Sequence, residues 1–384
     1  MSFAVLSVVC LVAAAGPLLA LPSRWHLPVV LGELAAGVLL GRSGIRFLHA
    51  ADPTFTFLAD IGFALVMFVA GTQVPVRSPA LRPALRTGLL RAVAVGFVAA
   101  VLGVLLARVF GLHHASLYAV LMASSSAALV LPVVGSLGLG GAHVLQLLPQ
   151  VAVADAFCIV ALPLVVDPPH ALRAAAGAAL VLLAAGLVFA LLRYVERRAL
   201  RAKVHAVSED RELALELRIQ LVILFALAAF AVNRHVSIML AGFAFGLAVA
   251  AVGEPRRLAK QLFALTEGFF GPLFFVWLGA TLDLRELASH PAMILLGLGL
   301  GLGASGAHQL MRLTGQPLAL GMLAGAQLGV PVAAATIGDR LGVLESGEAS
   351  AIMLGAVVTI ALAVLGGALA ARSGLVGDKH GGTG

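Results

Sequence analysis

Asp155 is the single carboxylate between Asp60 and Asp167, and it stands in the middle of the apolar run LLPQVAVADAFCIVALPLVV (residues 147–166). A charge at the centre of a membrane-spanning helix costs about 2.5–3.5 kcal/mol on insertion scales. Such a residue needs a compensating role. An ionised carboxylate supplies hard oxygen ligands for a partly dehydrated alkali cation. Once protonated it is neutral and cannot hold the cation. Burial disfavours the bare anion, so proton and cation are expected to compete for one site. Competition is sufficient for exchange, provided the empty anionic site does not cross the membrane. The alternative is a carboxyl that stays protonated and hydrogen-bonds a neighbouring helix.

Two further stretches place polar or helix-breaking residues at mid-span. The run SLYAVLMASSSAALVLPVVGSLGLGG carries Ser124, Ser125 and Ser126, with Pro132 two turns on. Proline removes a backbone donor and disturbs the helix preceding it. An unwound stretch would expose carbonyls and hydroxyls, and irregular backbone at membrane depth is tolerated only where it is buried or lines a cavity. The run QPLALGMLAGAQLGVPVAAATIGDRLG is interrupted by Gln327, Gly329 and Pro331. Interrupted helices at corresponding positions of two halves are the best sequence pointer to a transport site. A simple proline kink is the plainer alternative for the second.

The elements that must carry these residues follow from composition. Of 384 residues, 61% are hydrophobic and 11% charged, with mean hydropathy +1.06. A soluble domain runs near 25% charged. A cytosolic enzyme, a nucleic-acid-binding protein and a disordered chain are therefore excluded. No catalysis, cofactor or nucleic-acid partner is expected, and Cys10 and Cys158 give neither a disulfide framework nor metal spacing.

A spanning helix needs roughly 20 mostly apolar residues. On that measure the chain divides into about 13 transmembrane helices near 2–22, 27–41, 55–74, 89–110, 115–137, 147–166, 171–193, 217–232, 236–252, 262–282, 292–311, 317–338 and 349–371. The first is read as a retained helix, not a signal peptide, because no Lys or Arg precedes it. With the N-terminus outside, only Arg42, Arg46, Arg108, Arg173, Arg234, Arg285 and Arg340 fall on the outer side, and the other basic residues fall inside. That bias predicts an outside N-terminus and a cytoplasmic C-terminus.

Six spans and a linker helix (171–193) precede the polar loop 194–216, and six more spans follow it. The predicted fold class is an all-α integral membrane protein with two inverted six-helix repeats, about 1–166 and 217–372. The membrane domain is 1–372, and 373–384 is a short cytoplasmic tail. No nucleotide-binding motif appears, so ATP drive within this chain is not expected.

Six stretches in order carry a family resemblance: VVLGELAAGVLLG (29–41), LADIGFALVMFVAGTQV (58–74), ASSSAALVLPVV (123–134), VAVADAF (151–157), SIMLAGFAFGLAVA (237–250) and EGFFGPLFFVWLGATLDL (267–284). In these the chain resembles the monovalent cation:proton antiporters of the CPA2 superfamily, with its Kef-type and NapA-type exchangers. The resemblance implies a NapA/NhaA-like fold with crossed, broken helices five and twelve, a dimerising scaffold lobe, a mobile core lobe, elevator-like alternating access and a homodimer. It matches Asp155 to the family's essential ion- and proton-binding aspartate, so that the transported Na+ or K+ is the metal it would ligate. Ser124, Ser125 and Ser126 match the unwound segment that frames the ion.

The chain also departs from the pattern. Electrogenic members carry two adjacent aspartates, whereas Ala154 precedes Asp155. The family's basic residue near the second break is replaced by Gln327-Leu328-Gly329-Val330. Electroneutral exchange is the expectation.

Glu33 and Glu267 are accessory candidates near the inner ends of their spans, framing a funnel or fixing structure. Asp60 is expected to cap the third span, and His113 and His114 to be exposed loop residues. The functional expectation is a bacterial-type inner-membrane antiporter exchanging a monovalent cation for a proton. A cation-coupled symporter of a small solute and a degenerate or channel-like subunit are the alternatives.

Overall fold

The computed structural model describes residues 1–20, 29–74, 76, 81–198, 213–234, 236–253, 256–282 and 284–375. Arg24, Arg77, residues 199–212 of the polar loop and the tail beyond Leu375 lie outside them. In lipid, each backbone N–H and C=O must be satisfied within the segment that carries it, and the apolar runs accordingly fold as helices.

In chain order these are α1 (Phe3–Ala13), α2 (Ala15–Ala20), α3 (Val29–Leu40), α4 (Pro53–Gln73), α5 (Leu81–Phe110), α6 (Ala115–Ala123), α7 (Ala127–Ser136), α8 (Ala142–Val166) and α9 (Ala171–Arg197). After the polar loop come α10 (Leu215–Asn233), α11 (Ile238–Val252), α12 (Arg256–Leu265), a π-helical turn (Thr266–Phe270), α13 (Gly271–Thr281), α14 (Leu284–Ser289), α15 (Pro291–Gln309), α16 (Leu318–Ala324), α17 (Gly329–Leu341) and α18 (Glu348–Arg372). Among the described residues, 9 segments are long and apolar enough to cross a membrane, and Phe3–Leu18, Ala115–Leu131 and Ile238–Val252 are shorter apolar helices.

The outer faces confirm which solvent these helices meet. Val93, Phe97, Val101, Leu105 and Val109 of α5 are exposed, as are Leu183, Leu187 and Leu191 of α9. A multi-pass membrane protein presents such apolar faces to lipid.

Local chemistry sets the helix starts. Asp52 caps α4, its Oδ1 accepting from the Thr54 and Phe55 N–H groups at 2.9 and 3.1 Å, and Pro53 opens the first turn. The cap is therefore Asp52 and not Asp60. Proline has no N–H to lose at that position, so the helix begins two turns before Asp60, which instead lines a cavity.

The helices pack in two groups. In one, α5, α6, α8, α15, α16, α17 and α18 adjoin. In the other, α4 crosses α11, α3 crosses α13, and α9 packs on α11. The second group is built on paired glycines. Gly71 of α4 meets Gly246 of α11, and Gly37 of α3 meets Gly279 of α13. Small residues at a crossing let helix backbones approach, which is what holds helices together where lipid removes the hydrophobic drive. Phe63 stacks on Phe274 at 4.9 Å and Phe68 on Phe245 at 4.8 Å beside these crossings.

A Cβ at Gly246 would collide with the Phe68 carbonyl oxygen. Gly246→Ala is expected to lower stability by ~1–3 kcal/mol, the usual effect of overpacking. Gly186→Ala on α9 is the control, because nothing lies within 4 Å of the added methyl. Thermal unfolding of both variants checks this. Equal midpoints would contradict the crossing as the constraint.

Candidate functional site

The serine triplet is where the first broken helix opens. α6 ends at Ala123, Ser124 (φ −68, ψ 151) and Ser126 (φ −128, ψ 104) are extended, and α7 restarts at Ala127. Serine competes for backbone hydrogen bonds in non-helical conformations. The Ser124 hydroxyl donates to the Leu121 carbonyl at 2.7 Å, and the Ser125 hydroxyl to the Ala324 carbonyl at 2.6 Å. The expectation that Pro132 causes the break is corrected: Pro132 lies inside α7, and the opening coincides with the serines.

The second break is Gly325–Leu328, between α16 and α17. Gly329 and Pro331 belong to the first turn of α17, where N–H groups have no intrahelical acceptor and proline removes nothing. A Cβ on Gly329 would lie 2.7 Å from the Met239 sulfur of α11, the mobile end of a flexible side chain. Gln327 stands within the break. Its Nε2 donates to the Leu121 carbonyl and, at 3.4 Å, to the Ser124 carbonyl. Its backbone N–H donates to Thr359 Oγ1 of α18 at 3.2 Å. One neutral amide thus covers the carbonyl end of α6, and Ser125 covers that of α16.

Asp155 comes to the same place from α8. Its Oδ2 accepts from the Ala127 N–H at 2.9 Å, so the carboxylate caps the N-terminus of the half-helix α7. A helix N-terminus carries partial positive charge, and here it faces the Asp155 carboxylate. Asp155 is 3% exposed, Ser124, Ser125 and Ser126 are 0–2%, and Gln327 is 3%. No second donor and no basic side chain reaches the carboxylate among the described residues. The carbonyl and hydroxyl oxygens of the two breaks, the chemistry that suits an alkali cation, lie on the segments that adjoin Asp155.

A cavity of about 570 Å³ opens between the two helix groups, lined by Asp60, Pro163, Val166, Trp277, Val332 and Arg340 among others. Pro163 lies eight residues beyond Asp155 on α8, about 12 Å along the axis. Asp60 and Arg340 bring opposite charges to its lining.

Glu33 and Glu267 are not part of this constellation. They share a separate cavity bounded by α1, α2 and the π-helical turn.

Three further polar residues are buried in the core, of which His308 stood out in the sequence as a histidine within a span. Thr359 is a lone hydroxyl in the apolar run of α18 and is fully buried. His308, on α15, is also 0% exposed, and its ring lies near the backbone of Ala123 and Ser124. The third is Glu348, an acid directly before an apolar run. It is buried and accepts from the Tyr118 hydroxyl at 2.6 Å. His114 Nδ1 is 2.8 Å from the same carboxylate. His114 is thus no free loop residue. It ties the start of α6 to the start of α18.

The hydrogen bond and charge of Glu348, with Glu345 nearby, hold the His114 imidazolium above its ordinary range. A raised value means the pair contributes fully below the unfolded histidine value and is lost as pH rises through the raised one. The thermal midpoint is expected to fall across that window. His114→Gln should flatten this part of the pH profile, and an unchanged slope would contradict the pairing.

The profile of the family described as sodium/hydrogen exchanger, transmembrane, matches residues 8–371. The chain is 26% identical over 380 residues to YjbQ of Bacillus subtilis (strain 168), covering 93% of this chain and 61% of that protein. It is 32% identical over 287 residues to the glutathione-regulated potassium-efflux system protein KefC of Salmonella typhimurium, covering 71% of this chain and 44% of KefC. The chain therefore spans only part of the length of these relatives. In fold it is similar to the sodium proton antiporter MjNhaP1 of Methanocaldococcus jannaschii, with TM-scores of 0.64 and 0.68 for two structures at 17% and 15% identity. These cover 97% and 100% of this chain, and 98% and 99% of MjNhaP1.

Proposed function

Because the chain belongs to the transmembrane sodium/hydrogen exchanger family, we propose that it exchanges a monovalent cation, Na+ or K+, for a proton across the membrane. Asp155 is the shared site. Cation and proton occupy its carboxylate in turn, and one proton moves per cation, so exchange is electroneutral. Ser124, Ser125 and Ser126 on one break and Gln327 on the other frame the ion with carbonyl and hydroxyl oxygens. Gly329 and Pro331 start the half-helix that follows.

The observation that carries this reading is the position of Asp155. It is buried, meets a half-helix N-terminus, and has no basic partner among the described residues. Such a carboxylate is neutralised by a proton or a cation, and either one excludes the other.

Transport proceeds by alternating access, with the group that carries Asp155 moving against the glycine-crossed group. The cavity between the two groups supports an access route from one side. Thirteen spans in two inverted repeats fit the glycine pairs: a two-fold relation between the halves would exchange α3 with α11 and α4 with α13. It therefore carries the α3–α13 crossing onto the α11–α4 crossing, and each has its own Gly–Gly contact. The charge distribution places the N-terminus outside and the C-terminus in the cytoplasm of a bacterial-type inner membrane. The working unit is a homodimer in lipid.

The test is reconstitution into vesicles holding a pH-sensitive dye and an imposed proton gradient. Addition of Na+, K+ or Li+ is expected to collapse the gradient and to identify the transported ion. Absence of any response from neutral to alkaline pH would contradict exchange, and a solute-dependent Na+ uptake would favour symport.

A further inference from the structure

Glu33, on α3, is 3% exposed and has no hydrogen-bond or ion-pair partner among the described residues. Its side chain lines a cavity of about 290 Å³. Glu267 lines the same cavity from the π-helical turn and is more exposed, at the mouth. Both carboxylates line this space, and among the described residues no Lys, Arg or His does. Isolated burial of a carboxylate beside a second one is costly unless a positive charge accompanies them.

The backbone on one side of this cavity is irregular. The segment bearing Glu267 forms a π-helical turn, a feature frequent at functional sites. Irregular backbone at membrane depth is found where it lines a cavity.

The walls decide what kind of cation fits. Apart from the two acids they are apolar, including Val9, Ala13, Phe269 and Leu273. A bare divalent ion needs six or more oxygen ligands. Among the described residues no group of three or more His, Cys, Asp or Glu side chains is placed to hold a metal. An organic cation needs less: its charged head pairs with carboxylates, and its hydrocarbon body meets the apolar walls. The volume sits at the low end of small-molecule sites.

We infer that this cavity binds a small organic monocation, an alkylammonium or alkylguanidinium, with Glu33 as the deep charge partner and Glu267 at the entrance. The inference goes beyond the exchange reading and does not depend on it.

The experiment uses the purified full chain and n-butylguanidinium as probe, with 1-butanol, Na+ and Mg2+ as controls at constant ionic strength. Wild type and Asp155→Asn are both expected to show a saturable rise in thermal midpoint with butylguanidinium. Glu33→Gln should weaken that binding by more than ~10-fold, as expected when one member of a buried charge pair is lost, and Glu267→Gln should weaken it less. A response of Glu33→Gln equal to wild type overturns the proposal. So does an equal shift from 1-butanol, or from Na+ or Mg2+ at the same concentration.

A second readout does not depend on stability. Cys10 lines this cavity and is exposed, whereas Cys158 is buried. Butylguanidinium should slow maleimide labelling of Cys10 in wild type and in Asp155→Asn, and not in Glu33→Gln. If Asp155→Asn loses exchange yet keeps this protection, the two sites are separate. Loss of protection in Asp155→Asn overturns the separate site while leaving the exchange reading intact.

Discussion

Asp155→Asn is expected to abolish cation-dependent proton movement while leaving the fold in place. The two halves of that outcome come from different atoms. Asparagine keeps an oxygen that can accept the Ala127 N–H, and Asn caps helix N-termini as well as Asp does. The half-helix α7 should therefore stay anchored, and the thermal midpoint should move little. The negative charge is gone, however, and with it both the ligand for the cation and the acceptor for the proton. Exchange should fall to the rate of empty vesicles. Asp155→Ala removes the cap as well and is expected to cost a further ~1 kcal/mol of stability. Comparing the two variants separates ion binding from helix capping. Retained exchange in Asp155→Asn would place the site elsewhere.

Gln327→Leu should lower stability and have a large effect on exchange. The Gln327 amide donates to the Leu121 and Ser124 carbonyls, and no other residue of the second break does so. Leucine has similar bulk and no donor. The Leu121 carbonyl keeps the Ser124 hydroxyl as a donor, so the loss falls on the Ser124 carbonyl, at ~1–3 kcal/mol for an unsatisfied buried group. The same carbonyls stand beside the serine triplet, so their disorder should also raise the cation concentration needed for half-maximal exchange. Gln327→Glu tests the electrostatics separately, because a carboxylate repels those carbonyls when ionised. A Gln327→Leu protein with unchanged midpoint and unchanged cation dependence would contradict the cross-brace between the breaks.

Much of this site was legible in the order of residues because its signals are local. A lone acid in an apolar run and three consecutive serines at mid-span are anomalies visible without a fold. Where each break falls was less legible. Pro132 and Pro331 drew attention as breakers, yet both sit inside half-helices, and the unwound residues are Ser124–Ser126 and Gly325–Leu328. Pro331 is accepted in a first turn because the N–H it lacks has no partner there, and Pro132 lies in the second turn of α7, so each marks the neighbourhood of a break and not its centre. Asp60 misled for a similar reason, since the stronger cap, Asp52, lies eight residues earlier beside Pro53.

Pairings across the chain left no trace in the sequence. His114 and Glu348 are separated by 234 positions, and each read alone is an ordinary interfacial residue. The Gly71–Gly246 and Gly37–Gly279 crossings were equally hidden among 43 glycines, because their meaning depends on which helix lies opposite. Glu33 and Glu267 were visible as acids in apolar surroundings. That they share a cavity apart from Asp155 required the fold.

The central claim is that one carboxylate holds either a proton or a cation. It is tested most directly by counting protons released when the cation binds to purified protein, by calorimetry in buffers of different ionisation enthalpy. The account predicts one proton released per cation bound in wild type, and neither binding nor release in Asp155→Asn. Cation binding without proton release, or release that persists in Asp155→Asn, would contradict it.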